Sequence, residues 1–420
     1  MYRAPRGTAD ILPEEQKYWR YVEDRARSVA HKYGYRQLDT PIFEQSGLFV
    51  RGVGQVTDIV EKEMYSFEDR GGDSMTLRPE GTAPACRAYL EHGMRNLPQP
   101  VRLYYFSPTF RYERPQAGRY RQHHQFGVEA IGDGDASVDA EVVEMAWQMM
   151  TSLGLKNLTL VINSIGDFQC RQIYLGHLKD YYSSHITNIC QDCKERLERS
   201  PLRLLDCKQP KCITIAEKAP QTLEHLCSDC REHWEKLLGY LQRLNVPFSI
   251  NPRLVRGLDY YTRTVFEIQP PEEGGQSVIC AGGRYDGLIE ELDGPRTPGM
   301  GFAAGMERMV LNVRRQDVQV PEENFIKALV AYLGDEAKES AISLASRLRS
   351  NGIGTILAPA GRSLKAQMRY ANSLNIPYTL ILGDNEIKND SVVLRDMGRG
   401  EQREVLIKAV VEELDKQSSK

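Results

Sequence analysis

The 420-residue chain has no run of about 18 apolar residues, so no membrane-spanning helix can be read from it. Its first residues, "MYRAPRGTADILPEE", lack the basic-then-apolar pattern of a secretory signal. It also lacks an excess of either charge. Against 54 Lys and Arg stand 57 Asp and Glu, a net −3, so bulk charge announces no nucleic-acid partner, although a local patch would still serve one. Neither G-x-G-x-x-G nor G-x-x-x-x-G-K-[ST] occurs, which argues against a Rossmann or P-loop nucleotide site. No internal repeat is present, and the short "KQSSK" tail is the one low-complexity stretch. What remains is an ordinary globular composition, 41% hydrophobic and 26% charged, with length for about two to four domains. The protein is expected in the cytoplasm, where thiols stay reduced. Its nine cysteines then read as free thiols or metal ligands before they read as disulfides.

Periodicity divides the chain. Residues 13–33 read as a first long helix, with Pro13 in the opening turn, Tyr18, Val22, Ala26, Val29 and Tyr33 at helical spacing, and Gly34 as its stop. "YRQLDTPIFEQ" reads as a strand running into Pro41. "VRLYYFSPTFRYE" and "RQHHQFGVEAIG" read as an antiparallel pair joined by the polar loop "RPQAGRY". "SVDAEVVEMAWQMMTSLG" predicts a helix capped by Ser or Asp, and "LTLVINS" a strand. Across 167–245 strand signals vanish, helical patterns dominate and seven of the nine cysteines collect, which marks an inserted helical module. Strands resume with "TRTVFEIQ", "SVICAGG" and "GMGFAAG", the last leading into the helix "MERMVLNVRR". Past the polar, proline-marked "RRQDVQVPEEN", strands and helices alternate, predicting a compact α/β domain with a mostly parallel sheet. The domains are therefore 1–324, carrying the insertion at 167–245, and 325–420. The second holds 14 basic and 12 acidic residues, +2 against −5 for the rest, a small asymmetry.

Candidate chemistry centres on arginines beside glycines and aromatics. Arg111 ends a strand in "FRYE", Arg308 opens a helix in "GMERM", and Arg256 opens "RGLDYYTRTVFEI". A lone arginine at such a place is usually a surface ion pair. Three of them suit recognition of phosphate or carboxylate, which the guanidinium fork grips with two hydrogen bonds. "RYERPQAGRYR" carries four arginines against one glutamate; a loop that reaches a nucleic-acid end and a solvated hairpin tip are even readings of it. Glu80 and Thr82 lie in "TLRPEGTAP", where Pro-Glu-Gly-Thr is commonly only a turn, although an acid and a hydroxyl together there would suit an ammonium group.

Taken together, "TPIFEQSGLF", "FRYE" and "GMGFAAGMERM" resemble, in order, the three signature motifs of class II aminoacyl-tRNA synthetases. "RGLDYYTRTVFEI" and "AGGRYDGL" resemble the two signatures peculiar to histidyl-tRNA synthetases, and "RGTADILP" and "TLRPEGTAP" fit the same family, of bacterial type. The resemblance spans essentially the full length. It implies an α+β catalytic core, an antiparallel class II synthetase sheet flanked by helices, with a helical insertion and a C-terminal α/β anticodon-binding domain. It implies the joining of L-histidine to the 3′ end of histidine tRNA through histidyl-adenylate, with ATP and Mg²⁺, in a homodimer. By the same resemblance Arg111 would hold the α-phosphate and Arg308 the γ-phosphate, while Arg256 would bridge the histidine carboxylate and the α-phosphate. Glu80, Thr82 and Gln125 would hold the α-ammonium group. Glu129 and the Tyr261 hydroxyl would read the two imidazole nitrogens, one a donor and one an acceptor, with Tyr260 and Tyr285 packed around the ring. Arg114, Gln116 and Arg119 would meet the tRNA acceptor end.

Two C-x-x-C pairs, Cys190 with Cys193 and Cys227 with Cys230, favour a structural zinc held by these four thiolates. The family does not generally carry zinc, the gap between the pairs is longer than usual, and unligated thiols are the simpler alternative. Two other functions compete. A regulatory subunit of ATP phosphoribosyltransferase shares the synthetase-like core, but such subunits lack the terminal domain and tend to lose the histidine signatures that this chain keeps. A class II synthetase for another amino acid would have no use for the Glu129–Tyr261 pair.

Overall fold

The computed structural model describes residues 2–54, 57–115, 118–271, 278–322 and 325–418. The chain divides into two compact units, residues 1–321 and 322–420. No helix among the described residues is long and apolar enough to cross a membrane.

Unit 1 is built on an eight-stranded sheet. In chain order its strands and those of a small side sheet are β1 (Arg36–Gln37), β2 (Phe43–Gln45), β3 (Tyr65–Glu68), β4 (Ser74–Leu77), β5 (Val101–Phe110), β6 (Gln122–Ile131), β7 (Thr159–Ser164), β8 (Ser249–Ile250), β9 (Thr262–Gln269), β10 (Cys280–Arg284) and β11 (Gly299–Gly305). The large sheet runs β1-β5-β6-β11-β10-β9-β7-β8; β2, β4 and β3 form the side sheet. Only the end pairs, β1 with β5 and β7 with β8, are parallel. The expected long hairpin is present: β5 and β6 pair antiparallel over ten positions, Val101 opposite Ile131 and Phe110 opposite Gln122.

Two expectations at the start of the chain shift. The first helix spans Gln16–Lys32, with Pro13 to Glu15 in a turn before it. The stretch read as one strand around Pro41 splits into β1 and β2, which belong to different sheets. Proline cannot donate to a ladder, and the chain changes sheets there. The helix Ala136–Ser152 is capped by Asp135, whose carboxylate accepts from Ser137 N at 2.8 Å.

Apolar residues bury both faces of the sheet. One core gathers Trp19, Val22, Val143, Met149, Phe126 and Phe302 under the helices Gln16–Lys32, Ala136–Ser152 and Met306–Arg315. The other joins Val161, Val265, Tyr260 and Tyr261 to Tyr174, Leu178, Tyr182, Leu197 and Leu204 of the insertion. The insertion is all-helical, with helices Phe168–Ser184, Gln191–Arg199, Pro210–Ala216 and Ser228–Arg243, and its apolar interior continues the core beneath the tyrosine pair.

Unit 2 has strands β12 (Ala328–Tyr332), β13 (Thr355–Leu357), β14 (Tyr378–Leu382), β15 (Ser391–Asp396) and β16 (Gln402–Leu406), ordered β13-β12-β14-β15-β16. Helices cross between the first three, which are parallel. The last two pairs are antiparallel, so the sheet is mixed rather than mostly parallel. The reason is local. β15 and β16 are joined by the short turn after Asp396, too short for the crossover that a parallel pair needs.

Candidate active site

The centre of the large sheet is floored by glycine. On β11, Gly301 lies opposite Glu129 of β6 on one side and Gly283 of β10 on the other. A Cβ on Gly301 would stand 2.1 Å from Glu129 Oε2, one on Gly127 2.1 Å from Tyr105 Cζ, and one on Gly81 2.3 Å from Tyr105 Cε2. Real Cβ atoms do not come so close, so these glycines let large polar side chains lie flat where a strand would otherwise carry its own. Above this floor opens a cavity of about 820 Å³.

Behind the cavity wall, Glu129 is fully buried on β6. Its Oε1 accepts the hydroxyls of Thr82 at 2.8 Å and Tyr105 at 2.9 Å, and its Oε2 that of Tyr285 at 2.6 Å. Burial pushes its carboxyl up to about 8, against the pull of the three hydroxyls. A carboxylate offers about four lone-pair sites, so one acceptor position remains, on Oε2 beside Gly301. Thr82, Tyr105, Tyr285 and Gly301 line the cavity; Glu129 itself does not. Glu129 lies on the same face of β6 as His123 and Gln125, and the three hydroxyls cover its carboxyl except beside Gly301. Glu80 does line the cavity, and its two oxygens accept the backbone N–H groups of Thr82 at 2.6 Å and Ala83 at 2.9 Å, capping the helix Thr82–Glu91. Burial raises its pKa as well.

The corner Arg256–Tyr261 faces these acids across the cavity. The Tyr260 and Tyr261 rings lie 4.8 Å apart and Tyr260 meets Tyr285 edge-on at 6.0 Å. Arg256 pairs with Glu267 of β9. Arg308 donates from Nε to Gly118 O at 3.1 Å and from Nη1 to Val278 O at 2.5 Å. Arg111 donates from Nε to Pro79 O at 2.8 Å. All three guanidiniums, with Gln125 and His123, line one space. Burial, then Arg111 and Arg308, push the His123 imidazole down to about 3, so it is neutral at physiological pH. Gln125 Oε1, Arg256 Nε and His123 Nδ1 are buried without a hydrogen-bond partner. Buried polar atoms are nearly always paired, so three orphans around one cavity are groups that a polar ligand satisfies.

Arg119 pairs with Glu113 at 3.1 Å and lines the cavity mouth, while Arg114 is exposed. Gln116 lies outside the described residues. Pattern reading missed Tyr105, His123 and Glu267 as parts of the site; the register of the β5–β6 hairpin, which sets Tyr105 opposite Gly127, would have pointed to the first. The buried ion pair of Arg284 with Asp139 also went unread, with both side chains fully buried and Arg284 Nε 3.0 Å from Asp139 Oδ1.

The four thiols expected to share one zinc are not brought together. Cys190 and Cys193 gather with Cys207 and Cys212, whereas Cys227 and Cys230 gather with Asp167 and Cys170. Each C-x-x-C opens a different helix, and the start of the insertion, not its middle, lies beside its return.

A family model described as histidyl-tRNA synthetase matches residues 7–309, and one described as an anticodon binding domain matches 327–417. The chain is 55% identical over 417 residues to a histidine–tRNA ligase of Dehalococcoides mccartyi, covering 99% of this chain and 100% of the relative. It is 49% identical over 405 residues to one of Caldanaerobacter subterraneus subsp. tengcongensis, covering 96% and 97%. The solved apo histidyl-tRNA synthetase of S. aureus is similar with a TM-score of 0.83 at 39% identity, covering 99% of this chain and 100% of that one.

Proposed function

The chain belongs to the histidyl-tRNA synthetase family and acts as a histidine–tRNA ligase, and from that premise we propose that the cavity over the glycine floor is where L-histidine and ATP become histidyl-adenylate. The observation that carries this reading is the meeting of Arg111, Arg256 and Arg308 with a buried acid-and-tyrosine corner around one space. A carboxylate must approach the α-phosphate of ATP, and two anions come together only where positive charge is already fixed. Arg256 bridges the two groups as they react; Glu267 holds its guanidinium from behind. Arg111 takes the α-phosphate and Arg308 the γ-phosphate. ATP enters as its Mg²⁺ complex, the metal neutralising phosphate charge that the arginines leave.

Glu80, Thr82 and Gln125 take the α-ammonium group. The ring enters between Tyr260, Tyr261 and Tyr285. One ring nitrogen meets the Tyr261 hydroxyl, and the other donates into the last acceptor position of Glu129, beside Gly301, once that acid has given up its proton to solvent. The hydroxyls of Thr82, Tyr105 and Tyr285 keep that carboxylate aimed. A site with both partners fixed rejects apolar isosteres, which would leave the buried groups unpaired. The tRNA acceptor end comes to Arg114, Gln116 and Arg119, and unit 2 takes the anticodon. The protein works as a homodimer.

Histidine-dependent exchange of pyrophosphate into ATP tests the proposal. Exchange with histidine and none with glycine, threonine or proline is expected. No exchange with any amino acid would return the chain to the regulatory-subunit reading.

A further inference from the structure

Three helices of the insertion begin alike. Cys190 is the N-cap and Cys193 the third residue of Gln191–Arg199; Cys227 and Cys230 hold the same places on Ser228–Arg243; Asp167 and Cys170 hold them on Phe168–Ser184. D-x-x-C is thus the geometric equal of C-x-x-C, with a carboxylate in place of the first thiolate. A fourth helix, Pro210–Ala216, carries Cys212 at its third position, and Cys207 precedes it. Helix N-termini turn their free N–H groups and positive dipole ends towards these atoms.

The four starts meet in two groups of four, each with one ligand atom per residue and all atoms within 4.8 Å of one another. Tetrahedral zinc with Zn–S bonds of about 2.3 Å sets its ligands about 3.8 Å apart. Cys190 Sγ and Cys207 Sγ are 3.8 Å apart, as are Cys227 Sγ and Asp167 Oδ2. Backbone N–H groups already point at sulfur, Cys190 N at Cys212 Sγ (3.3 Å) and Cys227 N at Cys170 Sγ (3.0 Å). All seven thiols are free, and five are buried.

We propose that the insertion carries two zinc centres, a four-thiolate site of Cys190, Cys193, Cys207 and Cys212 and a mixed site of Asp167, Cys170, Cys227 and Cys230. The two have different structural duties. The mixed centre closes the base of the insertion, tying its first helix to its last. Next to Cys170, Arg171 donates to the carbonyls of Asp259 (3.1 Å) and Tyr261, so this centre orients the backbone of the tyrosine corner. The four-thiolate centre fixes the segment Leu205–Lys208, of which Cys207 itself lines the cavity.

Elemental analysis of the full chain, purified with zinc present and without chelator, decides the matter. About two zinc ions per chain are expected, one for each four-ligand set. Cys193→Ser and Cys230→Ser should each retain about one, and the double variant none. Replacement by cobalt should give sulfur-to-cobalt charge-transfer bands in both single variants, stronger in Cys230→Ser, which keeps four thiolates, than in Cys193→Ser, which keeps three. Where a variant fails to fold, the wild-type stoichiometry and the release of metal in two steps on chelation still decide. No zinc in the wild-type protein overturns the proposal, as does a single zinc lost equally in both variants, which would mean one site shared by the two C-x-x-C pairs.

Discussion

Arg256 has one firm partner, Glu267, and one buried nitrogen without any, an arrangement that fixes the guanidinium and leaves donors for a ligand. Arg256→Ala should lower histidine-dependent pyrophosphate exchange by about a hundredfold or more, the usual scale for one lost transition-state charge contact. Transfer from preformed histidyl-adenylate should suffer less; exchange near the wild-type rate would remove the assignment. Glu129 makes a different prediction. Its folded value, about 8, lies above its ordinary value of 4.5 because it is buried. Between those values the folded chain holds a proton that the unfolded chain has released. Its contribution to stability is therefore full below about pH 4.5 and is lost as pH rises towards 8, with a slope of at most about 1.4 kcal/mol per pH unit. Urea midpoints of the wild type and Glu129→Gln should diverge across that window, the glutamine variant showing the flatter profile. Parallel profiles would show that Glu129 titrates as an exposed acid does. The sequence exposed the three arginines and Tyr261 because each sits beside a glycine or aromatic within a long motif. It hid the screening of Glu129, since three of its neighbours come from distant segments at positions 82, 105 and 285.

At the level of the element, β11 and its neighbours depend on what they lack. Gly127→Ala would drive a methyl group against the Tyr105 ring, at 2.1 Å before any relaxation. Overpacking of this kind costs about 1–3 kcal/mol. The variant should melt at a lower temperature and bind histidine more weakly, as Tyr105 is pushed off Glu129, while the ATP affinity stays near normal. Unchanged thermal stability would show that the ring has room to move. The helices and long strands were legible because their apolar residues recur at 3.6 or alternate over many positions; β5 with β6 is the clearest case. Elements of two or three residues, such as β1, β2 and β8, were not, because they are too short to show a period. The metal groupings were equally hidden. The C-x-x-C spacing shows a knuckle, but only the fold shows that D-x-x-C at 167–170 is another and which knuckles face each other.

For the whole molecule, the proposed division of labour has a direct test. Every residue assigned to histidine or ATP lies in unit 1, so unit 2 is left with tRNA. Its near-neutral charge argues that base contacts, and not phosphate attraction alone, give it affinity. A truncated protein ending at Pro321 should still form histidyl-adenylate, while charging of histidine tRNA falls through weaker tRNA binding, as when one of two linked contacts is removed. Light scattering on the same sample must show an intact dimer. Wild-type charging by that truncated protein would refute the division. The glycine floor also bears on how such a chain can change across generations. Tyr105 lies wedged between Gly81 and Gly127, so a lineage that acquires alanine at either glycine loses stability unless the tyrosine has first been replaced by something smaller. That replacement would forfeit a hydroxyl on Glu129. The three positions would therefore be inherited as a block, and random variation around histidine recognition would find its tolerated steps elsewhere in the wall.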